Sequence, residues 1–187
     1  MRRVTGVLGL VLVLAAAAPM AAQAQGRGRG PAAPACSTFA CDAQADWDRT
    51  AALLIGIAEA MPEEQFGFKS TPAQRSFGEH VLHIVQVDGF LLGALGAKAP
   101  RPAINMKATS KADVVAALRQ SFDWGRAVIK EFNDAQLVER VNGVPFMGPS
   151  SRARIFYYSL QHTQDTYGQM VVYLRLNKLV PPASAGL

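Results

Sequence analysis

The stretch SSRARIFYYSLQHTQDTYGQMVVYLRLN, residues 150–177, decides the fold. Phe156, Leu160, Tyr167, Val171 and Leu174 recur at steps of three, four and seven, which is one face of an α-helix. Ile155, His162, Thr166 and Tyr173 fall on the adjoining face. Ser150 or Ser151 supplies the N-cap, and Pro181-Pro182 forbids continuation. A helix this long, apolar over two adjoining faces, needs partners of similar length to bury them.

Those partners are legible upstream. Trp47, Ala51, Leu54, Ala58 and Met61 make a helical stripe over about Ala43–Met61, stopped by Pro62. Ser76-Phe77-Gly78-Glu79 is a capping-box pattern that opens a second helix running to about Leu95. Ser110, with Asp113 three residues on, opens a third, whose stripe is Val114, Leu118, Phe122, Gly125, Ile129 and Phe132. Asn133–Pro149, with Gly143, Pro145, Gly148 and Pro149, reads as a loop. No block alternates with period two, and no internal repeat is present. The expected fold is all-α, a four-helix bundle over residues 42–187.

The N-terminus reads differently. Arg2-Arg3, the apolar run Val7–Ala18 and Ala22-Gln23-Ala24 are the basic, apolar and cleavage regions of a secretory signal peptide, residues 1–24. The run is too short for a membrane span, so no stable membrane anchor is expected. The mature chain then begins at Gln25 and is exported, to the periplasm or the extracellular medium. Residues 25–41 form a flexible linker, rich in Gly and Pro at first, that holds Cys36 and Cys41. An oxidising compartment permits these two to pair as a local clip.

Composition narrows the function classes. The chain has 187 residues, 50% apolar and 18% charged, which suits one globular domain and excludes wholesale disorder. Two cysteines exclude a disulfide-dense scaffold or a four-cysteine zinc site. The net charge is +5. Setting aside Arg2, Arg3, Arg27 and Arg29 leaves fifteen basic against fourteen acidic side chains, or +1 for the globular part. That balance and the export signal argue against nucleic acid as a partner.

The chain has three histidines, His80, His83 and His162. His83 sits within the apolar run Val81–Val85 and so faces inward. An inward histidine is most often a hydrogen-bonded core residue, but facing helices of a bundle are also where metal sites are built. His162, Asp165, Thr166 and Gln169 share one side of the last helix. A polar stripe there is costly unless it is paired, functional or solvated.

Two segments carry a family resemblance. MPEEQFGFKSTPAQRSFGEHVLHI, residues 61–84, and HTQDTYGQMVVYLRLNKLVPPAS, residues 162–184, resemble, in order and spacing, motifs of exported members of the DinB-like superfamily. The resemblance covers about Asp46–Ser184. It implies an up-down-down-up four-helix bundle and a divalent metal, zinc or nickel, held by three histidines. One matches His83 and another His162. The third, four residues after His162, falls on Thr166, a poor ligand beside a neutral imidazole. Asp165 and His80 are the candidate substitutes. Asp165 points about 100° away from position 166, and His80 lies three residues before His83. Asp88, five residues after His83, is poorly spaced to share its face. Such bundles often pair, so a homodimer is an expected assembly.

Two functions follow from the resemblance. One is a non-catalytic binding or structural protein, with a degenerate two-histidine metal site and a small-molecule ligand. The alternative is a metal-dependent enzyme of the thiol transferase or hydrolase type. Burial of His83 and His162 is expected in either.

Overall fold

The computed structural model describes residues 36–185. The signal peptide, most of the linker and the last two residues lie outside the described residues. Helices α1 (Phe39–Ala60), α2 (Phe77–Gly93), α3 (Lys111–Ile129) and α5 (Arg152–Leu176) form the bundle. Short helices α4 (Asp134–Val138) and α6 (Pro182–Ala185) follow α3 and α5.

The helices begin where hydroxyl side chains cap them. Ser76 Oγ accepts from the Glu79 amide at 3.2 Å, and the Glu79 carboxylate accepts from the Ser76 amide at 2.6 Å. Ser110 and Ser151 accept from the amides of Asp113 and Arg154 at 3.1 and 3.2 Å. Each cap satisfies an amide that has no partner within its helix.

Around the bundle the order is α1, α3, α2, α5, so α1 and α2 face each other diagonally. Side-chain pairs fix the directions. Asp48 meets Arg126 and Glu59 meets Arg119, so α1 and α3 are antiparallel. Tyr157 meets Asp46 and Gln164 meets Thr50, so α1 and α5 are parallel. Asp88 meets Ser159 and His80 meets Tyr173, so α2 and α5 are antiparallel. The topology is therefore up-down-down-up. Only a long connection can join the parallel neighbours α2 and α3, and residues 94–110 supply it.

The core is aromatic and branched aliphatic: Trp47, Phe77, Phe122, Phe156, Leu54 and Ile57 are all fully buried or nearly so. Burial of each such side chain is worth about 1.5–3 kcal/mol. Trp47 lies flat enough on α3 that a Cβ on Gly125 would overlap its indole, so glycine there sets the α1–α3 distance. The Trp47 indole N–H donates to the Phe122 carbonyl at 2.9 Å, so its one polar atom is satisfied within the core.

Two regions differ from the sequence reading. The segment 133–149 is more ordered than a plain loop. Asn133 caps α4, and β1 (Arg140–Val141) pairs antiparallel with β2 (Ser150–Ser151). Two residue pairs leave no period-two pattern to detect. At the other end α1 already begins at Phe39, so Cys41 belongs to its first turn and not to the linker. Cys36 and Cys41 are disulfide-bonded, closing a loop around the Thr38 N-cap.

Candidate functional site

The site lies on the seam between α2 and α5. His83 and His162 meet there edge-to-face, their ring centroids 4.9 Å apart. Both are half-buried, short of the burial expected from their apolar flanks. A cleft of about 270 Å³ opens beside His83, lined also by Arg75, Glu79, Gln86 and Met106.

His80 is the buried histidine, 1% exposed. Its Nε2 lies 3.3 Å from the Tyr173 hydroxyl, which itself donates to the Arg75 carbonyl at 2.7 Å. The tyrosine proton is thus committed, so His80 donates from Nε2 and carries its lone pair on Nδ1. That Nδ1 is buried with no partner. The Tyr173–Arg75 bond also ties the α1–α2 connector to α5, which fixes Arg75 near the histidines.

Thr166 is buried, 2% exposed, and its hydroxyl donates to the His162 carbonyl at 3.1 Å. Asp165 is exposed and accepts from Gln169 at 2.9 Å. The polar stripe of the last helix is therefore split: Thr166 faces the core, His162 sits at the boundary, and Asp165 and Gln169 face solvent. The 100° step between positions 165 and 166 has this consequence.

The deepest polar group is Asp88, which sequence spacing set aside. It is 1% exposed, and its Oδ1 accepts from Ser159 at 2.5 Å and Thr163 at 3.0 Å. Its Oδ2 is buried without a partner. Five residues from His83, it turns to α5, where Ser159 and Thr163 stand one helical turn apart. The signal for it was on the opposite helix: two hydroxyls at i and i+4 facing an acid within an apolar run.

Burial dominates the electrostatics. It pushes the His83 imidazole down to about 4, helped by the charge of Arg75 and by His162 and His80. Burial and then Arg75 lower His80, although Glu79 opposes them. Burial lowers His162; Asp165 pulls it back up and Arg75 adds to the lowering. Burial pushes the Asp88 carboxyl up to about 7, against the pull of its two hydroxyl donors. Near neutral pH the His83 imidazole is uncharged, and burial favours the neutral form of the other two.

Neutral imidazoles suit a metal, but the rest of the donor set does not. Thr166 has turned its hydroxyl to the backbone and Asp165 faces solvent; His80 keeps a free Nδ1 lone pair, but that atom is enclosed in the core. Among the described residues no group of three His, Cys, Asp or Glu side chains is placed to hold a metal ion. Arg75 adds positive charge where a divalent cation would sit. The residues present do not fit a divalent metal.

The chain matches the family model of the DinB superfamily over residues 46–170. Among solved structures it resembles a DinB-like protein from Bacillus cereus ATCC 10987, with a TM-score of 0.67 and 18% identity. The match covers 75% of this chain and 93% of that one, and at such identity it concerns the fold alone. None of the curated proteins is significantly similar to the chain.

Proposed function

We propose, from the premise that the chain belongs to the DinB superfamily, that it is an exported, non-catalytic member whose metal site has degenerated to two histidines. The observation that carries this reading is Thr166. It stands at the third-ligand position, and its hydroxyl is bonded to the His162 carbonyl. Two imidazoles beside an arginine hold a divalent first-row metal weakly. The pair contributes instead to a polar seam that shapes the bundle and its small-ligand cleft. Export rests on the signal-peptide pattern of residues 1–24. The alternative, a metal-dependent enzyme of the thiol transferase or hydrolase type, requires a third ligand that none of Thr166, Asp165 and His80 supplies in this arrangement.

Metal analysis tests the reading. After exposure to zinc and nickel, the purified protein retains substoichiometric metal, and its melting temperature does not rise. Stoichiometric metal with a rise in Tm that His162→Leu abolishes would overturn the proposal, because a ligand that binds only the folded state stabilises by mass action. Thr166→His restores an i, i+4 imidazole pair on α5 and should raise zinc affinity measurably in calorimetry. N-terminal sequencing of the exported product should start at or near Gln25.

A further inference from the structure

A second cavity, which shares Met106 with the first, lies between α2, α3 and the connection that joins them. Its volume is about 150 Å³, and its lining includes Val85, Gly89, Arg101, Ile104, Ser121 and Trp124. A cavity of this volume accepts a molecule of about six non-hydrogen atoms.

Arg101 is held over this cavity by a built arrangement. The Trp124 indole N–H donates to the Ala99 carbonyl at 3.2 Å. Glu131 accepts from the amides of Lys98 and Ala99 at 2.7 and 2.6 Å. Three hydrogen bonds, one to Trp124 of α3 and two to Glu131 just beyond its end, thus anchor the segment just before Arg101. The guanidinium lies 5.7 Å from the Trp124 ring centroid and packs on the backbone of Gly89, where any Cβ would overlap it. Arg101 is otherwise exposed, and its guanidinium is placed at the cavity by packing on Trp124 and Gly89.

Its donors remain free. Arg119, Arg126 and Arg152 each pair with a carboxylate, whereas Arg101 has no ion pair or hydrogen bond among the described residues. The nearby acids are engaged elsewhere: Glu131 by the two backbone amides, and Asp88 by Ser159 and Thr163 on α5. Ser121 is 2% exposed, lines the cavity, and makes no side-chain hydrogen bond among the described residues. The remaining walls are apolar. One oriented cation, one free hydroxyl and an apolar pocket call for an anion with a short apolar body.

We propose that this cavity binds a short-chain monocarboxylate of about six non-hydrogen atoms, with its carboxylate on Arg101 and its apolar body between Val85, Ile104 and Trp124. This supplies the ligand class that the non-catalytic reading leaves open. It uses neither His83 nor His162, so metal analysis and the experiment below fail independently.

The two tryptophans give a built-in probe and control. Trp124 Nε1 sits at the cavity, whereas Trp47 Nε1 is buried on Phe122. In a titration of the ¹⁵N-labelled protein with butyrate, the Trp124 indole resonance, assigned by Trp124→Phe, shifts saturably while that of Trp47 stays fixed. Butyramide, the neutral isostere, gives no saturable shift. Arg101→Gln weakens butyrate binding at least about tenfold, the loss of one charged anchor. Gly89→Ala does the same by displacing the guanidinium, although alanine favours the helix. An unchanged Trp47 resonance reports that each variant is folded. No saturable Trp124 shift with butyrate, equal binding of butyramide, or undiminished binding in Arg101→Gln would overturn the proposal.

Discussion

The α1–α3 seam and the α2–α5 seam are built from opposite materials. Between α1 and α3 the interior is Trp47, Phe122 and the bare backbone of Gly125, and charged pairs stay at the rim. Between α2 and α5 the interior holds His80, Asp88, Ser159, Thr163 and Thr166, all buried. Three buried polar atoms there, His80 Nδ1, Asp88 Oδ2 and His162 Nδ1, have no partner. A buried polar group without a hydrogen bond costs about 1–3 kcal/mol. The second seam therefore carries a cost that the first does not. Buried polar groups with shifted pKa values cluster at functional sites.

The largest expected effect comes from the apolar seam. Trp47→Ala removes a fully buried indole that touches Phe122 and Phe156 and satisfies the Phe122 carbonyl. Urea denaturation should show a loss of about 3–5 kcal/mol. A loss below 1 kcal/mol would mean that α1 and α3 are not held together here.

The polar seam should respond in the other direction. The Asp88 carboxyl is raised to about 7 in the folded protein from the ordinary 3.8. The folded state thus holds its proton more tightly, and the stability this gives is full below pH 4 and lost as pH rises through 7. Asp88→Asn is close in shape, cannot ionise, and still accepts from Ser159 and Thr163. It should be more stable than the wild type at pH 8, by on the order of 2–4 kcal/mol. The gain should vanish towards pH 4. His83 works oppositely, being lowered from 6.5 to about 4. Its contribution is present above pH 6.5 and lost as pH falls through 4. In the wild type the two offset one another between pH 4 and 6.5. In Asp88→Asn the histidine loss is exposed, and stability should fall as the solution is acidified across that window. A gain that is the same at every pH would show that the Asp88 pKa is not raised in the folded state.

Smaller again is His162→Leu. It replaces a half-buried imidazole that has an orphaned nitrogen by a hydrocarbon of similar size. The change should lie within about 1 kcal/mol of the wild type, on either side. A loss above 2 kcal/mol in metal-free buffer would mean that the ring makes a contact which the pair with His83 does not explain.

The difference between the seams also explains what the sequence conveyed. Helical period and caps are local, so the four long helices and the Ser76, Ser110 and Ser151 starts were readable to within a few residues. The meeting of His83 with His162 was implied by the family resemblance, since periodicity places each only on its own helix. Asp88 was set aside for the same reason. Its spacing to His83 is poor, but its partners Ser159 and Thr163 lie on α5, and nothing local says that α2 and α5 are neighbours. The stripe at 162, 165, 166 and 169 was legible as a cluster; how it divides between core and solvent depends on the rotation of α5 against α2. That rotation is set by packing throughout the bundle.

The smallest expected effect tests whether charge location, not charge itself, separates the seams. Asp48 and Arg126 form an ion pair at 2.6 Å on the rim of the α1–α3 seam. Both side chains keep substantial contact with water, and Arg126 also bonds Asp123 at 2.9 Å. A double-mutant cycle on Asp48→Ala and Arg126→Ala should give a coupling of about 0.2–1 kcal/mol. It should shrink further in 1 M salt, where the screening length falls to about 3 Å. The same cycle on Asp88→Ala and Ser159→Ala, at pH 8, should give about 1.5–3 kcal/mol, because a buried charge-assisted hydrogen bond is involved and salt does not reach it. Both pairs contain one carboxylate and one donor, so equal couplings with equal salt sensitivity would show that water enters the α2–α5 seam as freely as it bathes the rim. In that case Asp88 would lose its raised pKa as well, and the pH dependence of Asp88→Asn should disappear with it.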